Sequence, residues 1–286
     1  GVMNLKKLFS IVLSLLVCLN LPVSSVFASD KIEYVALGDS IASGFQPNEM
    51  SLKEGNYSDL IKKYLEKKGK EVSLKNYAKP GQTTQGLKDQ LEDLDISKAD
   101  IITLSIGSNN MLGAFTFAML DIMGIENEIE AKETIKEIFK DTKGGLISSF
   151  KEKKLVKKLK NANILNYALI RLEKELESVV DNVRSKNKDA VVIITNFYNP
   201  YAFVKELGLK HLYKYTNGMI TKMNDILEKV SENKDFLIAD VSFIGEDKSY
   251  LNIDLDEQCL LIDPHPNQKG HEAMSLAIEK NLENRI

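Results

Sequence analysis

The chain has 286 residues, 38 basic and 41 acidic side chains, and a net charge of −3 at neutral pH. With 43% apolar and 28% charged residues it reads as one large α/β domain with a full core, apart from its first segment. A mildly acidic balance gives no electrostatic case for binding nucleic acid.

That first segment has the anatomy of a secretory leader. Lys6 and Lys7 form a positive start, Leu8 to Leu21 is an almost unbroken apolar run, and Val26-Phe27-Ala28 offers small residues where a signal peptidase reads. The run is short for a membrane span and no stop-transfer pattern follows, so a retained anchor is the lesser reading. Gly1 and Val2 precede the initiator-like Met3 and read as a remnant. Residues 1–28 are therefore expected to be cleaved, leaving a secreted or cell-surface protein of residues 29–286. Removal takes two of the 38 basic side chains and no acids, which gives 36 against 41 and a net charge of −5. Cys18 leaves with the leader. It lacks the small preceding residue of a lipoprotein signal. Cys259 is then the only thiol, which excludes an intramolecular disulfide and a cysteine metal site.

In chain order, apolar runs predict strands over Ile32–Leu37, Glu71–Tyr77, Asp100–Ile106, Ala190–Phe197 and Phe236–Val241. Ile101-Ile102-Thr103-Leu104 and Val191-Val192-Ile193-Ile194 show no polar alternation, as strands covered on both faces do. Helical spacing of apolar residues predicts helices over Tyr57–Lys68, Thr83–Leu94, Asn163–Lys186, His211–Val230 and Gln268–Leu282. In the last, Ala273, Leu276, Ala277 and Ile278 are expected to face inward. Strand and helix alternate throughout. That predicts a doubly wound, flavodoxin-like three-layer α/β/α sandwich with a five-stranded parallel sheet and no second domain. Residues 111–160 are extra: a strongly apolar stretch, Met111 to Leu120, then a charged helical one. They form either a helical elaboration packed on the sheet or a cap over the site, with Met and Phe lining a place for an acyl chain.

Four stretches fall at strand ends on what would be one edge of the sheet. In Gly38-Asp39-Ser40, glycine permits a sharp turn after the first strand and Ser40 stands exposed beside a helix N-terminus, unless it is merely the helix cap. Lys79-Pro80-Gly81-Gln82-Thr83-Thr84 lets backbone approach a ligand at Gly81 and point an N–H at it. Gly107-Ser108-Asn109-Asn110 offers side-chain amides as donors to an oxyanion. Asp263-Pro264-His265-Pro266-Asn267 holds a histidine between two stiffening prolines. Of the three histidines, His211 falls in a charged helix and His271 early in the last one. Neither combines a neighbouring carboxylate with a rigid loop, so His265 is the best base. Each feature alone has an ordinary structural reading. Together they supply the nucleophile, base, acid and oxyanion donors that acyl transfer from serine needs.

These blocks, in this order and spacing, resemble the GDSL/SGNH hydrolase family of the secreted bacterial lipase and esterase type. Gly38-Asp39-Ser40 matches the first block, Gly81 the second, Gly107 and Asn109 the third, and Asp263 with His265 the last. The resemblance implies a serine esterase or lipase with no metal or organic cofactor. It implies Ser40 as nucleophile and His265 as general base, with the Ser40 and Gly81 N–H groups and the Asn109 amide as oxyanion hole. Two departures stand out. The third block usually ends Asn-Asp and here reads Asn109-Asn110. The last block usually has Asp three residues before His, where this chain has Ile262, with Asp263 two before. Asp263 is the favoured triad acid; the alternative is a backbone carbonyl orienting His265. The partner is expected to be an ester substrate, a lipid or an acylated small molecule or glycan. The protein is expected to be a monomer that at most meets a membrane or lipid surface transiently. A polysaccharide O-deacetylase and a silent exported binding protein on the same scaffold are the rival readings.

Overall fold

The computed structural model describes residues 31–47, 51–124, 149–254, 261–283 and 285. The leader expected at residues 1–28, residues 125–148 of the extra region and Cys259 lie outside these. Among the described residues no helix is long and apolar enough to cross a membrane.

Strands β1 (Lys31–Gly38), β2 (Glu71–Asn76), β3 (Ile101–Ser105), β4 (Val191–Thr195) and β5 (Leu237–Ala239) form a five-stranded sheet in the order β2-β1-β3-β4-β5. Every neighbouring pair is parallel. Eight helices are described: α1 (Ser40–Ser43), α2 (Tyr57–Lys67), α3 (Thr84–Asp93), α4 (Ser108–Met123), α5 (Ser149–Lys160), α6 (Asn163–Lys186), α7 (Lys210–Asn233) and α8 (Gln268–Leu282). The order steps outward one way from β1 to β2, then the other way from β3 to β5. This is the doubly wound pattern expected, and it leaves helices on both faces.

The strand period of two divides the apolar side chains between two cores. Val35, Leu37, Ile102, Leu104, Val192 and Ile194 meet Leu87 and Leu91 of α3, Leu172, Leu176 and Val180 of α6, and Leu227 of α7. Tyr34, Ala36, Ile101 and Ile193 point the other way, to Tyr57, Ile61 and Leu65 of α2 and Met274, Ile278 and Leu282 of α8. Each such buried leucine or isoleucine is worth about 1.5–3 kcal/mol against exposure. That explains why the central strands lack polar alternation. One inward assignment fails: Leu276 is 59% exposed. Met274, Ile278 and Leu282 recur every fourth residue and own the buried stripe, which puts Leu276 on the far side of the helix.

The described parts of the extra region, α4 and α5, pack on α6 and α7 through Ala114, Ala118, Leu159 and Leu165. The buried Glu152 of α5 fastens this layer. Its Oε1 accepts from the N–H groups of His211 (2.6 Å) and Leu212 (2.9 Å) at the open start of α7, and its Oε2 meets His211 Nδ1 at 2.8 Å. A carboxylate at a helix N-terminus satisfies orphan N–H donors and favours the dipole. His211 therefore has a carboxylate neighbour but stands on a helix, so it still lacks the pairing of carboxylate and rigid loop sought in the sequence. Periodicity along one helix cannot reveal a partner on another.

One element is new. β6 (Leu251–Asp254) and β7 (Leu261–Pro266) pair antiparallel as a two-stranded ribbon outside the main sheet. The segment expected to be a proline-stiffened loop is thus a strand. Prolines are tolerated there because the ribbon has unpaired edges, where a missing N–H costs no ladder bond.

Candidate active site

The site begins where β1 ends. Gly38 has φ +129°, and a Cβ there would lie 2.1 Å from the Ser105 carbonyl oxygen of β3. Only glycine lets β1 pass so close to β3 and then turn. The Asp39 N–H donates to that carbonyl (2.9 Å), and the Asp39 side chain caps α1 by accepting from the Ile41 N–H at 3.0 Å. The cap is therefore Asp39, which frees the Ser40 hydroxyl for other work. The helix expected after Ser40 is a single turn, so its dipole contributes little here.

Ser40 Oγ lies 2.9 Å from His265 Nε2. His265 Nδ1 lies 2.5 Å from Asp263 Oδ1, which also accepts the His265 backbone N–H at 3.0 Å. A neutral imidazole that donates Nδ1–H to a carboxylate has its Nε2 lone pair available to accept from a serine hydroxyl, and this arrangement fits that tautomer. Asp263 is buried and takes a further bond from Asn252 Nδ2 (3.3 Å) on the facing ribbon strand. The same Asn252 amide donates to Gln46 Oε1 (2.7 Å), and Gln46 Nε2 donates to the Pro266 carbonyl (3.1 Å). Phe45 sets its ring edge-on to the imidazole with centroids 5.7 Å apart. The two-residue spacing from Asp263 to His265 works because strand side chains two apart share a face. Asn252 and Gln46 were not singled out from the sequence. The alternation in Leu251-Asn252-Ile253-Asp254 is a strand signal that would have found the ribbon; nothing local points to Gln46.

Gly81 and Asn109 come to the same place. Lys79 N–H continues the ladder onto the Gly38 carbonyl (2.9 Å), which lays the loop carrying Gly81 beside the end of β1. Gly81 has φ +76°, and Gly107, with φ +104°, turns β3 into α4. Asn109 Nδ2 donates to the Gln82 carbonyl at 2.9 Å, which orients the amide and leaves its second hydrogen for another acceptor. Ser40, Gly81, Asn109 and His265 line one cavity of about 280 Å³. Its remaining walls include Phe45, Met111, Leu112 and Phe115, Leu165 of α6, and Met219, Ile220 and Met223 of α7. The apolar start of the extra region thus supplies one wall.

Electrostatics single out Asp39. It is 1% exposed, and its Oδ2 has no hydrogen-bond partner. Burial pushes its carboxyl up to about 6, against the pull of the Ile41 N–H, the Ser105 hydroxyl and the nearby His265. Burial, reinforced by Asp39 and Asp263, also raises the Tyr198 phenol of the cavity wall, which stays neutral. The third histidine, His271, is fully buried under α2 and accepts the Tyr57 N–H at 3.3 Å. Burial lowers its imidazole to about 3.

A hydroxyl, an imidazole and a carboxylate in hydrogen-bonded series, at the carboxyl edge of a doubly wound sheet and over an apolar cavity, define a hydrolase-type site. The sequence model of the GDSL-like lipase/acylhydrolase family matches residues 36–273, and the chain belongs to that family of lipase- and esterase-like hydrolases. It is 25% identical over 251 residues to the uncharacterized protein YpmR of Bacillus subtilis (strain 168), covering 86% of this chain and 79% of that protein. Among solved structures it resembles phospholipase A1 of Streptomyces albidoflavus NA297 with a TM-score of 0.59 and 19% identity, over 87% of this chain and 98% of that one. The lipase Lip_vut3 from a goat rumen metagenome gives a TM-score of 0.57 and 23% identity, over 87% and 96%. These structural likenesses bear on the fold. The family resemblance and the three-layer sandwich expected from the sequence are both as found.

Proposed function

We propose that the protein is an exported serine esterase of the lipase type, acting on esters with an apolar acyl chain. Ser40 Oγ attacks the ester carbonyl while His265 Nε2 takes its proton. Asp263 holds the imidazole in the right tautomer and offsets the positive charge it gains. The carbonyl oxygen becomes an oxyanion facing the Ser40 and Gly81 N–H groups and the Asn109 amide. His265 returns the proton to the departing alcohol, which leaves an acyl group on Ser40. Water then repeats the sequence with His265 as base, and the carboxylic acid departs. Asp39 keeps a negative charge near the imidazolium formed in both halves.

The observation that carries this reading is the Ser40–His265–Asp263 series, at 2.9 and 2.5 Å, opening into the apolar cavity. Phenylalanine, methionine and leucine walls suit an acyl chain, and they give no comparable support to a polysaccharide O-deacetylase. Export rests on the leader-like start of the sequence. The test is hydrolysis of p-nitrophenyl esters from acetate to palmitate, with Ser40→Ala alongside. Turnover that favours longer chains and disappears in Ser40→Ala is expected. Full turnover by Ser40→Ala, or none on any ester by the parent, overturns the proposal.

A further inference from the structure

Asn109 and Gly81 sit on two separate segments, and a third element ties those segments together. Asn110, next to Asn109, accepts the Thr84 N–H on Oδ1 at 3.1 Å. That bond fixes which way the amide points. Its Nδ2 then donates to Glu175 Oε2 of α6 (2.7 Å) and to Thr84 Oγ1 (2.8 Å). The Thr84 hydroxyl donates to the same carboxylate oxygen at 2.5 Å. The other oxygen, Glu175 Oε1, is held by Arg171 at 2.7 Å. Glu175 is buried, with its side chain 11% exposed, so its charge is poorly screened by water. The ring is closed: residue 84, three after Gly81, is bound to residue 110, one after Asn109, and both to one carboxylate.

We propose that Glu175 is a positioning residue for the oxyanion hole, and that its carboxylate is the reason position 110 must be a neutral amide. The inference rests on the serine-esterase reading above. An aspartate at position 110 would place an oxygen near the present Nδ2, 2.7 Å from Glu175 Oε2. Two carboxylates that close cannot both be ionised. The loop bearing Gly81 would then part from α4, and the Asn109 amide would shift with it, since it bonds Gln82 of the same loop. Arg171, on α6 itself, is the charged group in ion-pair contact with Glu175 among the described residues. Thr84 of α3 and Asn110 of α4 meet it as neutral donors. Lys229 of α7 also reaches α6, where it is taken by Glu173. The carboxylate also stands at the amino ends of α3 and α4, where negative charge is favoured.

The test compares Asn110→Asp, Glu175→Gln and the double exchange Asn110→Asp/Glu175→Gln. It uses the full chain, p-nitrophenyl butyrate, and a range of about pH 5 to 9. Asn110→Asp is expected to lower kcat by about a hundredfold at the alkaline end, the loss that a misplacement of about 1 Å brings. Its KM should barely change, and kcat should recover toward the acid end, where the two carboxyls share a proton. The double exchange restores one carboxylate and one amide. The carboxylate at position 110 then accepts from Thr84 and from the amide at position 175, so kcat should return to within about fivefold of the parent. Glu175→Gln alone should fall between them. A parent-like kcat and pH profile in Asn110→Asp overturns the proposal. So does a double exchange no more active than the single. If Asn110→Asp does not fold, the double exchange decides alone: active supports the clamp, folded and inactive overturns it. Ser40→Ala in the same series separates the layers. An inactive Ser40→Ala beside an unaffected Asn110→Asp sinks the clamp only; an active Ser40→Ala sinks the serine reading beneath it.

Discussion

Asp39 should destabilise the protein above pH 6, and replacing it with asparagine should remove that cost. Burial raises the carboxyl from its ordinary 3.8 to about 6. Between those values the native state keeps a proton that the unfolded chain has released. Stability then falls as pH rises through this window and levels off above about 6. Each unit is worth about 1.4 kcal/mol, so a shift of about two units costs about 3 kcal/mol at neutral pH. The substitution Asp39→Asn keeps an oxygen for the Ile41 N–H and the Ser105 hydroxyl, the two bonds Oδ1 now accepts at 3.0 and 3.3 Å. The new amide resembles the protonated acid, which also leaves one group unpartnered, so any fixed offset cancels in the difference between the two curves.

The assay is urea unfolding by circular dichroism, parent against Asp39→Asn, at steps from about pH 4 to 8. The gap between the two stability curves should widen by about 3 kcal/mol in favour of the variant across that range. It should be flat above about pH 7. A gap that stays constant to within about 0.5 kcal/mol would mean that Asp39 carries no such shift, since that is the scatter of independent additive effects. Turnover should move the other way. Without the buried charge near His265, the imidazolium formed during acyl transfer loses part of its stabilisation and kcat falls.

His271 should carry the opposite slope. Burial holds it at about 3 against an ordinary 6.5, so the unfolded chain gains a proton first and stability drains as pH falls below 6.5. His271→Asn keeps an acceptor for the Tyr57 N–H and should flatten the acid limb in the same urea series. Gly38→Ala should cost at least about 3 kcal/mol, because its Cβ meets the Ser105 carbonyl at 2.1 Å with φ +129°; a urea midpoint equal to the parent's contradicts this. Asn109→Ala should lower kcat about a hundredfold or more, while the thermal midpoint falls only by the small cost of losing its bond to the Gln82 carbonyl.

The fold was legible because its signals are local. Doubly buried strands show as unbroken apolar runs, and α6 and α8 begin and end where their periodicity does. Ser40, Gly81, Asn109, Asp263 and His265 were legible as motifs, and the structure brings them to one edge. What supports them was not. Gln46 bonds Asn252 across 206 residues, and Glu175 bonds Thr84 across 91. A long-range polar bond leaves no period in the sequence, because either partner alone reads as an ordinary surface residue. The ribbon was missed for another reason. Two prolines around His265 read as a stiff loop, and a short edge ribbon tolerates them just as well.

The two halves of the site are held by different physics. Ser40 stands at the end of a central strand, where the close packing at Gly38 and the flanking apolar cores fix its backbone from several sides. His265 and Asp263 stand on a ribbon of two short strands that shares no ladder with the main sheet. Polar ties help hold that ribbon: Gln46 to the Pro266 carbonyl, and Asn267 Nδ2 to the carbonyls of Ser249 (2.9 Å) and Leu251 (3.0 Å). Each such bond is worth about 1 kcal/mol net, while one buried leucine of the sheet core is worth two or three times that. Ser40 is therefore set by the fold as a whole, and His265 by a short ribbon anchored by the buried Leu251 and a handful of hydrogen bonds. A partly opened ribbon would abolish proton transfer while the sheet remained intact. Under the proposed mechanism the polar residues around the ribbon therefore matter beside Ser40, His265 and Asp263, because they help keep Nε2 within reach of the hydroxyl.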